Sequence, residues 1–354
     1  MTDGLPPLLP SRYLAILDVG HGACAVVRDG SAVTLVDAGP SAAILEFCRR
    51  HGVKSIDRVI LTHADADHIK GLVLLLSSGE IKVGEVLLNS DAQKGSKDWS
   101  ALVWELDHLE RDGHVQMIVG VREGESFPVG TSIHLRVLAP RRGLVAIGPG
   151  GRDNEGRLLH ANTLSAVLRV DVESRLGTAL LTGDLDEVGL QHLIDTRAAD
   201  LKADVLVFPH HGGNAKPSAT PALNSEYTNT LLDHVHPRSV IFSIGRGRHN
   251  TPRPEILAAI RSHGSAPRVA CTQMSVHCAV NVTIQGNHLL PVFSVGRERK
   301  ICCAGTVILD LDKGGDPSPL GTPYDAFRRE AAPTALCRLP IPMPPADDGA
   351  SGVN

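Results

Sequence analysis

Six residues, His63-Ala64-Asp65-Ala66-Asp67-His68, constrain this chain more than any other stretch. They place four metal-capable side chains at the spacing His-x-Asp-x-Asp-His, directly after Arg58-Val59-Ile60-Leu61, which reads as a buried strand. In an extended tail alternate side chains point the same way, so His63, Asp65 and Asp67 are expected to converge. Ile69 to Leu76 reads as a helix with His68 at its start. Imidazoles mixed with carboxylates suit divalent ions such as Zn²⁺, Mn²⁺ or Fe²⁺. A solvated loop with two salt-bridged aspartates would have the same local sequence, but the downstream residues complete a site.

Asp37 closes the apolar run Ala32-Val33-Thr34-Leu35-Val36. Asp184 closes Thr178-Ala179-Leu180-Leu181-Thr182-Gly183, and His210-His211-Gly212-Gly213 closes Asp204-Val205-Leu206-Val207-Phe208-Pro209. An Asp after one strand is usually a turn or cap residue. Repeated strand ends of this kind are where sites assemble in layered folds.

In this order the motifs resemble the metallo-β-lactamase superfamily, and within it the hydrolase domain of the ComEC family of DNA-uptake proteins. Leu17-Asp18-Val19-Gly20-His21-Gly22 is similar to that family's opening Leu-Asp-Val-Gly-Gln-Gly, and Leu35-Val36-Asp37-Ala38-Gly39 to its first acidic motif. His63 to His68, Asn162-Thr163-Leu164-Ser165, Leu181-Thr182-Gly183-Asp184, Phe208-Pro209-His210-His211-Gly212 and Thr251-Pro252-Arg253-Pro254-Glu255 follow in register with the rest. The match covers roughly residues 12 to 290. It departs from the family at His21 and Ala23, where Gln and Asp are usual, and at Thr251, where His is usual.

The resemblance implies an α+β fold, the four-layer αββα sandwich. It also implies two divalent ions, Zn²⁺ or Mn²⁺, with a hydroxide activated between them. His63 and Asp65 would bind the first ion, Asp67, His68 and His210 the second, and Asp184 would bridge. Asn162 stands where other members supply a further His, with His160 two residues earlier as the alternative. Replacing a His by Asp65 hardens the first site and shifts preference toward Mn²⁺. Asp37 is expected to orient a His or the metal loop, or simply to cap a turn. The catalytic set is then Asp67, Asp184, His211 and His249, the two histidines being able to donate a proton to the leaving group or to bind phosphate.

Composition bounds the rest. With 35 basic and 39 acidic residues the net charge is -4, so nucleic-acid binding requires a local basic patch. Arg246 and Arg248 in one Gly-rich loop are the possible phosphate binders, with Arg141, Arg142, Arg152 and Arg157 in the long stretch 141–159. Solvated surface arginines are the plain alternative. No apolar run reaches the roughly 20 residues of a membrane span, and Met1 to Pro7 lacks the pattern of a signal peptide. Seven cysteines without an export signal point to a reducing, cytoplasmic setting. Five lie late, and Cys271, Cys278, Cys302 and Cys303, with His277 and Cys337 nearby, could hold a structural Zn²⁺.

Two domains are expected, a hydrolase domain over 1–290 and a Cys- and Pro-rich extension over 291–354 with a flexible end. Residues 41–51, 69–77, 97–112, 186–196, 219–234, 254–263 and 324–331 read as helices, 141–159 as a loop and 276–284 as a strand. The leading functional expectation is a metal-dependent phosphodiesterase or nuclease. Alternatives are a hydrolase of a small ester, lactone or nucleotide, and an effector subunit with protein partners in a bacterial system such as anti-phage defence.

Overall fold

The computed structural model describes residues 9–89, 95–173, 177–282, 284 and 286–338. The stretch before residue 9 and the expected flexible end beyond residue 338 lie outside them. The first sheet begins with β1 (Arg12–Ile16), β2 (Ala25–Asp29), β3 (Ala32–Val36), β4 (Ser55–Ile60), β5 (Lys82–Leu88) and β6 (Gln116–Val119). The second holds β7 (Ser126–Val129), β8 (Ile133–Ala139), β9 (Val167–Val172), β10 (Ala179–Leu181), β11 (Val205–Val207), β12 (Ser239–Phe242) and β13 (Arg268–Cys271). The chain then returns to the first sheet with β14 (Val307–Asp310) and β15 (Pro317–Ser318).

The spatial orders are β15-β14-β1-β2-β3-β4-β5-β6 and β13-β12-β11-β10-β9-β8-β7. Nine α-helices are described: α1 (Ala43–His51), α2 (Ala66–Ser78), α3 (Lys97–Arg111), α4 (Arg142–Ile147), α5 (Glu187–Arg197), α6 (Pro221–Val235), α7 (Pro254–Ser262), α8 (Val295–Glu298) and α9 (Thr322–Ala331).

Period-2 alternation sorts the first sheet's two faces. On β1, Leu14 and Ile16 face the second sheet, within one apolar cluster with Val137, Leu168 and Leu206. Tyr13 and Ala15 face the other way, with Phe47, Leu72 and Leu102 from α1, α2 and α3. Helices α5, α6 and α7 cover the second sheet through Leu193, Leu231 and Ile260. The result is helix, sheet, sheet, helix, the expected four-layer α+β sandwich. Each fully buried Leu or Ile stabilises these layers by about 1.5–3 kcal/mol.

Three expectations need correction. The sheet runs across the boundary expected at residue 290, because β14 pairs antiparallel with β1, Tyr13 opposite Asp310. The 141–159 stretch is not all loop: Arg142–Ile147 turns once as α4. The described residues of 276–284 form no strand, since the guanidinium of Arg246 claims the carbonyls of Ala279 and Val280 that a ladder would need.

Candidate metal centre

Loops at corresponding ends of both sheets meet at Asp184. Helix α2 begins at Ala66, so Asp67 and His68 sit on a first helical turn and not on an extended tail. The helix N-terminus there favours the carboxylates of Asp65 and Asp67. Asp184 follows β10, and its N–H is held by the Ser165 hydroxyl at 3.0 Å. Thr163 donates to Asp186 at 2.6 Å, so the Asn162-Thr163-Leu164-Ser165 motif props the Asp184–Asp186 turn. Asn89, which sequence reasoning missed, bridges the sheets by donating to the carbonyls of Thr62 and Leu164.

Asp184 divides the imidazoles. Its Oδ1 lies 3.2 Å from His68 Nε2 and 3.6 Å from His211 Nε2. Its Oδ2 lies 3.6 Å from His63 Nε2 and 3.9 Å from His210 Nε2. Asp65 Oδ2 stands 4.0 Å from His63 Nε2, and Asp67 Oδ2 3.3 Å from His211 Nε2. His210 and His211 thus flank Asp184 on opposite sides, although adjacent in sequence. Both adopt left-handed backbone, φ 50° and 54°, which for non-glycine residues costs of order 1–3 kcal/mol each and persists where packing over-determines it.

The Nδ1 atoms are committed elsewhere, which turns Nε2 toward Asp184. His68 Nδ1 donates to Asp37 Oδ2 at 2.8 Å, His211 Nδ1 to the Ser243 carbonyl at 2.9 Å, and His210 Nδ1 to the Asn214 carbonyl at 3.0 Å. His63 Nδ1 meets Thr62 Oγ1 at 3.1 Å, whose own proton goes to Asp37 at 2.7 Å. Backbone carbonyls and carboxylates holding Nδ1–H are the partners that orient metal-ligating histidines.

Electrostatics agree with this geometry. Burial presses His68 toward neutrality, but Asp184 and Asp37 outweigh it and hold its pKa well above the ordinary value. Burial would raise Asp184, yet His68, His211 and His63 hold it well below the usual carboxylate range. Asp67 is likewise lowered, burial being overcome by His211 and His68. Two buried atoms, His63 Nε2 and Asp184 Oδ1, make no hydrogen bond. Convergent Nε2 atoms around orphaned carboxylate oxygen fit a divalent cation, and two donor groupings, His21/Asp67/His211 and His63/His68/Asp184, each lie within 4.8 Å.

His21 was missed as a site residue; a lone His in a Gly-rich turn carries no periodic signal. It is nearly buried, 3.5 Å from Asp67 Oδ2, and burial followed by repulsion from His211 lowers its pKa to about 3. A cavity of about 360 Å³ opens beside it, lined by Asp65, Asp67, His210, His249 and Arg253 among others. His249 stacks on His21 with centroids 4.6 Å apart.

Other expected residues are not among the donor groupings. Asn162 opens a 3-10 turn, and its carbonyl accepts from Ser165 and Asp186. His160 lines a neighbouring cavity with Arg157, Asp186 and Lys216. Arg246 spends its guanidinium on the carbonyls of Met274, Ala279 and Val280, so the phosphate role expected of it is corrected to bracing a loop. Arg248 is exposed on the turn after it. Arg157 pairs with Asp153 at 2.7 Å, and Arg152 caps Gly156 within the same loop.

Of the expected structural zinc set, Cys302 turns away to Asp18 and Ser294 and His277 bonds the Asn250 carbonyl, while Cys271, Cys278 and Cys303 interact with one another and with Cys337, and Cys303 also meets the Tyr324 hydroxyl at 3.2 Å. Among the described residues the thiols are not one of the groupings that converge within 4.8 Å.

Comparison with known proteins gives the family. The family model described as "Metallo-beta-lactamase superfamily" fits residues 17–220, more than half of the chain. ComE operon protein 3 of Bacillus subtilis (strain 168) is 25% identical over 221 residues, which is 62% of this chain and 24% of that protein. Competence protein ComA of Neisseria gonorrhoeae is 25% identical over 269 residues, 73% of this chain and 31% of that protein. The chain therefore spans about a quarter to a third of the length of these relatives. The metallo-beta-lactamase fold protein YhfI from Bacillus subtilis superposes with a TM-score of 0.46 at 13% identity, covering 74% of this chain and 98% of that one. No helix among the described residues is long and apolar enough to cross a membrane. With its strand-end Asp and His residues gathered around Asp184 between two sheets, the chain belongs to the metallo-beta-lactamase superfamily.

Proposed function

We propose that the chain is a metal-dependent phosphodiesterase acting on a nucleic-acid backbone. The observation that carries this reading is the Asp184 carboxylate, with imidazoles and a further carboxylate on each side of it. His63, Asp65 and His210 would hold one divalent ion with Asp184, and Asp67, His68 and His211 the other with the same Asp184, so that His211 replaces the His210 expected on the second ion. Two bound ions supply charge neutralisation on phosphate oxygens and a nucleophile from water at neutral pH. This carboxylate-rich donor set admits Mn²⁺ as well as Zn²⁺.

The protein's own residues supply orientation and proton transfer. Asp37 and Ser243 fix the tautomers of His68 and His211. With His211 committed on both nitrogens, the proton-transfer role falls to His249, which lines the cavity mouth. Water oxygen would attack phosphorus as the bond to the leaving oxygen breaks, the water's proton passing to solvent and the leaving oxygen taking a proton from His249. Resemblance to the hydrolase domain of DNA-uptake proteins, and the name of one relative as a competence protein, support DNA as the substrate.

A second reading, a small phosphoester or nucleotide, is favoured by one observation. The cavity is small, and its lining cation Arg253 is paired with Glu255 at 2.7 Å. The test is hydrolysis of bis-p-nitrophenyl phosphate and of linear DNA, with Mn²⁺ and with Zn²⁺, against the double variant Asp67→Ala/His68→Ala. Metal-dependent cleavage of DNA, lost in the variant, is expected. Cleavage of the small diester alone would favour the second reading, and no cleavage of either with two ions bound would refute the phosphodiesterase.

A further inference from the structure

We infer that His21 is a ligand of the ion held on the Asp67–His211 side of the centre, an inference that rests on the metal-dependent reading above. His21 Nε2 lies 3.5 Å from Asp67 Oδ2, and His211 Nε2 approaches the same oxygen at 3.3 Å. The three residues each present a donor atom within 4.8 Å of the others. The His21 ring leans on His211 with centroids 4.6 Å apart, and its side chain is 7% exposed. Its Nδ1 is buried without a hydrogen-bond partner, a polar atom the surrounding fold leaves unsatisfied.

The placement of His21 is built by several contacts. The Ala23 N–H donates to the Asp67 carbonyl at 3.2 Å. A Cβ at position 22 would stand 2.3 Å from that carbonyl oxygen, and one at position 245 would stand 2.3 Å from the His21 nitrogen. Glycine at both positions lets the loop lie flat between α2 and the turn after β12. Ser243 donates its hydroxyl to the Gly22 carbonyl at 2.6 Å while its own carbonyl holds His211, so one residue sets both imidazoles. Beneath the loop, buried Asp18 accepts from the N–H of Gly20 at 3.2 Å, from Gln273 at 2.8 Å and from the N–H of Gly296 at 2.7 Å.

The chemical consequence is asymmetry. His21 raises the nitrogen count on the Asp67 side to three imidazoles, with His68 and His211, whereas the other side keeps Asp65 and two imidazoles. Nitrogen-rich sites favour Zn²⁺ and its borderline neighbours, while oxygen-rich sites tolerate Mn²⁺. The Asp67 side is therefore the tighter Zn²⁺ site of an unequal pair.

Titration of the metal-free protein with Co²⁺ tests this, read by visible absorption and by chelator competition on wild type, His21→Gln and His21→Ala. Wild type should take up two ions in distinguishable steps. In His21→Gln one step should weaken about tenfold or more with an altered d–d band, and the other should be unchanged. Circular dichroism and melting in EDTA establish that each variant is folded, and the Gln variant, similar in size and polar, covers the case in which Ala disturbs the loop. Unchanged affinities and spectrum in His21→Gln would overturn the ligand role. So would intact binding with lost hydrolysis, which would place His21 on the substrate. Failure of wild type to bind two ions would instead overturn the metal reading beneath it.

Discussion

Replacing Asp37 by Asn tests whether the centre depends on one proton's position. Asp37 sits in left-handed backbone, φ 58°, a conformation Asn also tolerates, so the chain path should survive. Its carboxylate takes three bonds: the Thr62 N–H at 2.7 Å on Oδ1, and the Thr62 hydroxyl at 2.7 Å and His68 Nδ1 at 2.8 Å on Oδ2. If the amide oxygen stays on the Thr62 N–H, the amide NH₂ faces two former donors. His68 relieves the clash by moving its proton to Nε2, the nitrogen 3.2 Å from Asp184. A protonated Nε2 cannot ligate. Loss of such an orienting partner typically weakens metal binding 10–100-fold, about 1.4–2.8 kcal/mol. Two lost charge-assisted bonds should also lower the stability of the metal-free fold by roughly 3 kcal/mol. Chelator competition gives the first quantity and urea unfolding in EDTA the second. Wild-type affinity for both ions in Asp37→Asn would refute the tautomer argument, whatever the stability.

Other outcomes follow from the same geometry. In the metal-free protein the raised pKa of His68 gives stability that is full below its unfolded value near 6.5 and lost as pH rises through the folded one. Ion binding displaces that proton, so affinity measured by calorimetry should rise about tenfold per pH unit until the folded pKa is passed; a flat profile would count against His68 as a ligand. Arg246→Ala should cost about 1–3 kcal/mol of stability through the three freed carbonyls while leaving KM unchanged; a raised KM at unchanged stability would restore its phosphate role. Leu206→Ala, fully buried between the layers, should cost about 2–5 kcal/mol in urea melts, and a loss below 1 kcal/mol would contradict the packing described.

The strands and the metal loop were legible because their signals are local. Alternation on β1 and β4, and short apolar runs ending in Asp37, Asp184 and His210, can be read in one pass along the chain. What was illegible depends on encounters between distant segments. His21 gains its place from Asp67 and from the turn at Gly245, more than 200 residues later. The division of His210 and His211 between two sides of Asp184 follows from two left-handed φ angles that residue type does not announce. Arg246 looked like an anion binder because its charge is visible in sequence and its three carbonyl partners are not. The strand pattern read over 276–284 failed for the same reason.

The pairing of β1 with β14 has a consequence for the order of events at the ribosome. Tyr13 waits for Asp310, almost 300 residues, before that side of the first strand finds its neighbour. Until then a row of open main-chain donors and acceptors stands exposed on a nearly finished sheet, an invitation to pair with another nascent chain. Asp18, two residues past β1, waits more than 250 residues for Gln273 and Gly296. The loop that carries His21 therefore has its full set of contacts only once these late-made residues have been synthesised.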